Sequence, residues 1–423
     1  MPFISSAKLR LGWGRVGNQT VANYQTMYTY ASDHVSSHDP VTNSGFVVAL
    51  YPDNLANLKL KWETSEQVNA GADLSLWKGR LALTADVYYK RTYDLLQSKT
   101  IASSSGFTST YVNEGSIENK GLEFTLDAVP VKLRNLEWAV NGNISFNRNK
   151  ILSINKDAAA KSIWVSTTRQ KDVVYFEGQQ IGTSNYCVQT ANIFMEGYPM
   201  GLFYGYKVKG IVPVGGQGVP LSADGARGIP GQFDYYDLNG NGYIDEDDRC
   251  IIGDPNPDFT YGFGTTLTWK RFTLGAMFNG VYGNEIFNVN LAVETETNSS
   301  GRNVKRDAWK KAWTPDRTDT RYPALGLIRA QDYKMFSDFY LENASYLRLA
   351  NVSLSYDIPV KKGAKVVKRA SVGASVSNVW IWTYYSGWDP EVNSYGTNVR
   401  KMGVDQGSYP NNRAFSFDVK LTF

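Results

Sequence analysis

The chain has 423 residues, 42% of them hydrophobic and 13% aromatic, with 44 Lys and Arg against 40 Asp and Glu. A disordered or collagen-like chain would not carry 27 Tyr, 19 Phe and 11 Trp, and a net charge of +4 gives no face for neutralising nucleic-acid phosphates. No run of about 18 apolar residues is present, so no membrane-spanning helix is expected; 38 glycines at negative mean hydropathy suit strands with one apolar and one polar face.

Taken along the chain, Met1-Pro2-Phe3-Ile4 leads into alternation at Lys8 and Arg10 with no signal-peptide core, so any export signal is expected to be missing from this sequence. Period-two patterns then recur near 5–15, 58–76, 80–95, 112–131, 136–147, 258–269, 272–283, 346–358, 368–383 and 413–423. Leu81, Leu83, Ala85, Val87 and Tyr89 alternate with Thr84, Asp86 and Lys90. Phe415, Phe417, Val419, Leu421 and Phe423 alternate with Ser416, Asp418, Lys420 and Thr422.

The connections sort by length. Trp77-Lys78-Gly79, Lys132 to Asn135, Lys270-Arg271 and Lys361 to Arg369 are short, whereas 16–57, 96–115, 148–257, 282–345 and 384–412 are long. A soluble sandwich gives no reason for that sorting, and an outer-membrane barrel does: short periplasmic turns and longer extracellular loops. The expected fold is therefore all-β, about ten strands of an antiparallel transmembrane β-barrel spanning 1–423, with 148–257 and 282–345 as large extracellular loops. Parity requires that strand-like Gly201–Ile211 belong to a loop. Trp77, Trp269, Trp380 and Trp382 suit interfacial girdles as a set. The apolar face would meet the lipid bilayer and the polar face a wet lumen.

Several stretches carry a family resemblance. They include Leu9-Arg10-Leu11-Gly12-Trp13-Gly14, Asn113-Glu114-Gly115-Ser116-Ile117-Glu118-Asn119-Lys120-Gly121, Glu196-Gly197-Tyr198-Pro199-Met200-Gly201 and Asp237-Leu238-Asn239-Gly240-Asn241-Gly242. Ile251-Ile252-Gly253-Asp254-Pro255-Asn256-Pro257, Trp313-Thr314-Pro315, Tyr346-Leu347-Arg348-Leu349 and Tyr385-Ser386-Gly387-Trp388-Asp389-Pro390 follow in order. In these the chain resembles the C-terminal part of a SusC/RagA-type TonB-linked outer-membrane transporter. The resemblance implies a larger, plugged barrel of which these strands are a part, since a half-barrel would leave two unsatisfied edges in the membrane. It also implies a signal peptide, TonB box and plug that are absent here, so the chain is expected to be either a fragment of a longer gene product or a truncated one. By the same resemblance the function is TonB-dependent import of oligosaccharides or peptides across the bacterial outer membrane, without covalent chemistry. The implied partners are a SusD-like surface lipoprotein and the TonB complex, the latter through the absent plug. Rival readings are a loop-presenting adhesion barrel, or a soluble glycan-active enzyme using Asp389 and Glu391.

The sharpest chemical spacing is Asp237-x-Asn239-x-Asn241-Gly242-x-Ile244-Asp245-x-x-Asp248. It follows a calcium loop, with ligands from Asp237, Asn239, Asn241, the Tyr243 carbonyl, Asp245 and Asp248. It reads equally as an Asn/Gly turn whose side chains satisfy their own backbone. Tyr198, Tyr204, Tyr206, Tyr385, Trp388 and Asp389 are candidate substrate or partner contacts, because aromatic faces stack on sugar rings and carboxylates bind hydroxyls; loop packing is the alternative. His34 and His38 lack metal-site companions, and Cys187 and Cys250 read as unrelated residues or a single loop disulfide.

Overall fold

The computed structural model describes the chain apart from residues 1–2, 21–22, 36–46, 156–158, 182–188, 217–219, 223–227, 296–302, 327–335, 361–365, 392–393 and 397. Ten strands build the main sheet: β1 (Ile4–Asn18), β2 (Glu63–Leu76), β3 (Leu81–Tyr93), β4 (Ser116–Leu133), β5 (Leu136–Ser153), β6 (Phe259–Trp269), β7 (Phe272–Tyr282), β8 (Tyr346–Ile358), β9 (Arg369–Thr383) and β10 (Ala414–Thr422). Each pairs antiparallel with the next in chain order, and among the described residues β1 and β10 each keep one unpaired edge. These strands fall where the alternation places them. Gly201–Ile211 lies outside the sheet: its strands Leu202–Gly205 and Val208–Ile211 belong to smaller sheets in a loop.

The register makes the two faces chemically distinct. One row across the sheet runs Leu9, Ala72, Ala85, Phe124, Ile144, Tyr261, Gly280, Leu347 and Trp382. The neighbouring row runs Arg10, Gly71, Asp86, Glu123, Ser145, Thr260, Val281, Tyr346 and Thr383. Because successive side chains point to opposite faces, one residue of slip would exchange these surfaces. On the polar face Arg10 forks onto Asp73 at 2.9 Å and Asp86 at 2.9 Å, tying β1, β2 and β3 together. Gly71 lies beneath this fork, where a Cβ would collide with Asp86 and Arg10.

Among the described residues no protein covers the apolar face: Leu9, Leu11, Phe417 and Val419 are 70% exposed or more. Trp77, Trp269, Trp380 and Trp382 stay about half exposed, at 51%, 53%, 58% and 49%. Leaving one large apolar side chain in water costs roughly 1.5–3 kcal/mol, so a face of this length calls for a hydrocarbon solvent. No described helix is long and apolar enough to cross a membrane.

Turns at 77–80, 134–135 and 270–271 close hairpins at one end, where Ile358 of β8 also pairs with Ala370 of β9. The long connections gather at the other end, and there the water-excluding core is found. Phe203, Phe287, Phe336 and Val404 are each 0% exposed and come from three different connections. A six-stranded sheet in the longest connection, containing Lys161–Ser166, Arg169–Val173, Tyr175–Glu177, Asn192–Met195, Leu202–Gly205 and Cys250–Gly253, carries its own cluster around Ile193 and Met195.

Candidate functional site: a tryptophan cleft in the loop layer

In the connection after β9, one bulky aromatic residue is held outward by buried anchors on both sides. Tyr385 is 6% exposed and its hydroxyl donates to Asp405 Oδ2 at 2.6 Å. Asp389 is 3% exposed and accepts from Arg348 Nη2 at 2.6 Å and from Asn411 Nδ2 at 3.2 Å. Between these anchors the backbone turns away from the core, leaving Trp388 73% exposed. Gly387 allows the turn, since a Cβ there would strike the Tyr385 ring.

Trp388 borders a cleft of about 440 Å³ that Asn290, Glu294, Asn303, Lys305 and Ser386 also line. The strand Glu285–Asn288 runs directly into a short helix, Val289–Thr295, which supplies Asn290 and Glu294. Lys305 Nζ donates to Ser386 Oγ at 2.9 Å and lies 3.7 Å from Glu294 Oε2. Ser386 donates its backbone N–H to Glu342 Oε2 at 2.6 Å and its hydroxyl to Oε1 at 2.7 Å. The cleft thus offers a flat apolar ring beside an amide, a carboxylate, an ammonium and a hydroxyl.

The other candidate contacts sit differently. Tyr204, Tyr206 and Tyr385 are 5%, 3% and 6% exposed, so they are core side chains and the expectation that they face a substrate is corrected. Tyr204 packs under the Arg249 guanidinium, 4.9 Å from its ring centre. Tyr206 lies 5.8 Å from the Tyr235 ring, and burial pushes its hydroxyl up to about 12. Asp389 is corrected likewise: its charge is spent on Arg348. Glu391 Oε2 is 3.1 Å from the same guanidinium, so the two carboxylates act as one ionic anchor and not as an acid and base pair. Tyr198 is half-buried beneath Lys171, whose Nζ is 4.7 Å from the ring centre.

The acidic loop is completed by its own backbone. Asp237 accepts from the Gly240 and Gly242 amides at 2.7 and 2.8 Å, with both glycines at positive φ, 73° and 84°. Asn239 accepts from Asn241, and Asn241 from Tyr243, in successive Asx turns. Asp245 caps the short turn Glu246–Asp248. Asp248 is 0% exposed and takes amides from Leu238, Asn239 and Asp245, and burial raises its carboxyl pKa against those hydrogen bonds. Both its oxygens thus accept amides from inside the loop, which is the Asn/Gly-turn alternative in which side chains satisfy their own backbone. Among the described residues no three His, Cys, Asp or Glu side chains gather as a metal site. His34 stands in the strand Tyr30–Val35, not on a helix, and His38 lies outside the described residues. So does Cys187; Cys250 is a buried free thiol that burial pushes up to about 11.

Sequence reasoning missed the ties that hold the layer. Asn149 Nδ2 donates to Asn256 Oδ1 at 2.7 Å and Asn149 Oδ1 accepts from the Met200 amide at 2.7 Å, while Asn256 Nδ2 reaches the Met200 carbonyl at 2.9 Å. Two quoted motifs, Tyr198-Pro199-Met200-Gly201 and Asp254-Pro255-Asn256-Pro257, are thereby locked onto β5. Arg249 makes a two-pronged contact with Glu177, at 2.7 and 3.1 Å. A lone arginine on the polar parity of a strand, such as Arg348, was the one available signal of such an anchor.

With this geometry in view, the similarities become informative. A family model described as TonB dependent receptor-like, beta-barrel, matches residues 3–379. The chain belongs to this family. TonB-dependent receptor P3 of Formosa agariphila is 32% identical over 428 residues, covering 99% of this chain and 40% of its own length. TonB-dependent receptor SusC of Bacteroides thetaiotaomicron is 28% identical over 427 residues, covering 99% of this chain and 38% of its own. The structure of the RagAB peptide transporter superposes with a TM-score of 0.75 at 23% identity, across 100% of this chain and 41% of that one, a likeness of fold. The chain thus spans about 40% of the length of the relatives it matches. The matched relatives are named as TonB-dependent receptors.

Proposed function

We propose that the chain forms the C-terminal barrel strands and loop layer of an importer that captures oligosaccharides at its outer surface, under a SusD-like surface lipoprotein, with entry driven through TonB. The observation that carries the saccharide reading is the cleft beside Trp388: an exposed ring next to Asn290, Glu294, Lys305 and Ser386. Pyranose rings present an apolar face edged by hydroxyls, and this mixture of surfaces matches them. Buried anchors on both sides fix Trp388 before any ligand arrives, which lowers the ordering cost of binding.

The test is a titration of the full-length receptor, with its lipoprotein, against neutral oligosaccharides and against peptides of similar mass. Saccharide binding is expected, and Trp388→Ala should weaken it about tenfold, corresponding to roughly 1.4 kcal/mol. Binding of peptides alone would reverse the substrate assignment. Unchanged saccharide affinity in Trp388→Ala would move the site elsewhere.

A further inference from the structure

The end of the sheet opposite the loops carries a consistent pattern that import does not use. Three hairpin turns and the start of β9 bring Lys78 and Arg80, Lys132 and Arg134, Lys270 and Arg271, and Lys368 and Arg369 to one rim, all exposed. Residues 77–80, 132–135, 270–271 and 366–369 contain no Asp or Glu. Among the described residues Lys78 and Arg80 form no ion pair, and Lys132 meets only Glu137, at 3.1 Å. The rim's own carboxylates, Glu137 at the start of β5 and the exposed Asp357 at the end of β8, lie outside these turns.

The cations stand beside aromatic rings. Phe3 and Trp77 pack edge to face at 4.9 Å, Trp269 and Phe272 stack at 6.5 Å, and Lys270 Nζ lies 5.0 Å from the Trp269 ring centre. Between β1, β3 and β4 the rim opens into a hollow of about 910 Å³ with walls from Phe3, Trp77 and Val129 and cations from Lys78, Arg80 and Lys132. Leu81, on the apolar face of β3, continues its floor.

We propose that this hollow is a seat for an anionic phospholipid of the leaflet facing the short turns, phosphate against Lys78, Arg80 and Lys132 and acyl chain down the apolar face. The inference rests on the membrane-barrel assignment and is independent of the imported substrate. Rings at the polar–apolar boundary with long cationic side chains beyond them match the layering of a headgroup region. Clustered cations there attract anionic headgroups. An acidic soluble protein would match the charges alone; the apolar floor continuous with the lipid-facing strands matches only an amphiphile.

The test uses the full-length receptor extracted in mild detergent and offered equal amounts of dioleoylphosphatidylglycerol and dioleoylphosphatidylethanolamine, with retained lipids counted by native mass spectrometry. Phosphatidylglycerol should be enriched at least about fivefold, and the enrichment should shrink at high salt. The combined variant Lys78→Gln, Arg80→Gln, Lys132→Gln should retain the two lipids nearly equally while keeping the heat-modifiable gel migration of a folded barrel. A matched set in the loop layer, Lys161→Gln, Lys209→Gln, Lys310→Gln, should leave the preference intact. Equal retention by the unaltered receptor overturns the proposal, as does a preference that survives the rim variant. Loss of a co-purifying acidic protein with the lipid preference unchanged would assign the rim to protein docking instead.

Discussion

Asp248 sets the character of the acidic loop: its carboxylate holds three amides of its own turn, so the loop keeps its shape through its own backbone. Calcium at millimolar concentration is therefore expected to leave the protease resistance of residues 237–248 equal to that in chelator. A calcium-dependent gain in protection would show that the loop reorganises around an ion. Glu177 governs a different response. Burial favours its neutral form, but hydrogen bonds from Arg249 and Thr190 and the Arg249 charge outweigh this and lower its pKa below the ordinary 4.5. A carboxyl with a depressed folded pKa adds stability above its unfolded pKa and loses it as pH falls toward the folded value. The six-stranded loop sheet should accordingly become easier to cleave between about pH 5 and pH 3. In Glu177→Gln that acid-dependent step should diminish, read by limited proteolysis across the same range; an unchanged step would assign it to another carboxylate.

At the scale of elements, period-two alternation was enough to place all ten strands, because each strand lies between two different solvents along its whole length. The register makes the reading testable. Leu126 and Thr125 are neighbours on β4 that face opposite surfaces, in the rows of Leu83 and Thr84 respectively. Leu126→Arg should destabilise the assembled barrel by about 2–4 kcal/mol in refolding titrations, and Thr125→Arg by far less. Equal costs would mean that the two faces are not lipid and lumen. The loops were less legible for a physical reason. Tyr204, Tyr206 and Tyr385 have the same composition signature whether they contact a ligand or one another, and only long-range contacts decide which. Asp389 reads as an open carboxylate until Arg348, 41 residues earlier, is seen beside it. Trp388 could be named from sequence, but its outward hold depends on Asp405 and Arg348, which no local pattern reveals.

Across the whole molecule, the sheet and the loop layer are stabilised by different means. The sheet relies on ladder hydrogen bonds and on lipid, whereas the layer relies on ordinary burial. Phe336, at 0% exposure, contacts the Phe203 ring at 6.0 Å and the Phe287 ring at 4.2 Å, linking separate connections. Phe336→Ala should cost the layer about 3–5 kcal/mol and raise proteolysis in 189–258 and 384–413 together, while the sheet keeps its heat-modifiable migration. Cleavage confined to the neighbourhood of 336 would mean that the connections pack independently.

The shared loop core also dictates an order of events during biogenesis. Phe287 donates its amide to the Gly403 carbonyl at 2.9 Å and pairs with Val404, so the outer layer cannot close until a segment only ten residues before β10 has been delivered. The rings of Phe203, Phe287 and Phe336 therefore lack part of their cover until that segment has docked. Contacts so distant along the chain form slowly, and bare rings invite association with other chains in the meantime. The connection between β9 and β10 is therefore the piece whose docking covers the surface that most needs protection.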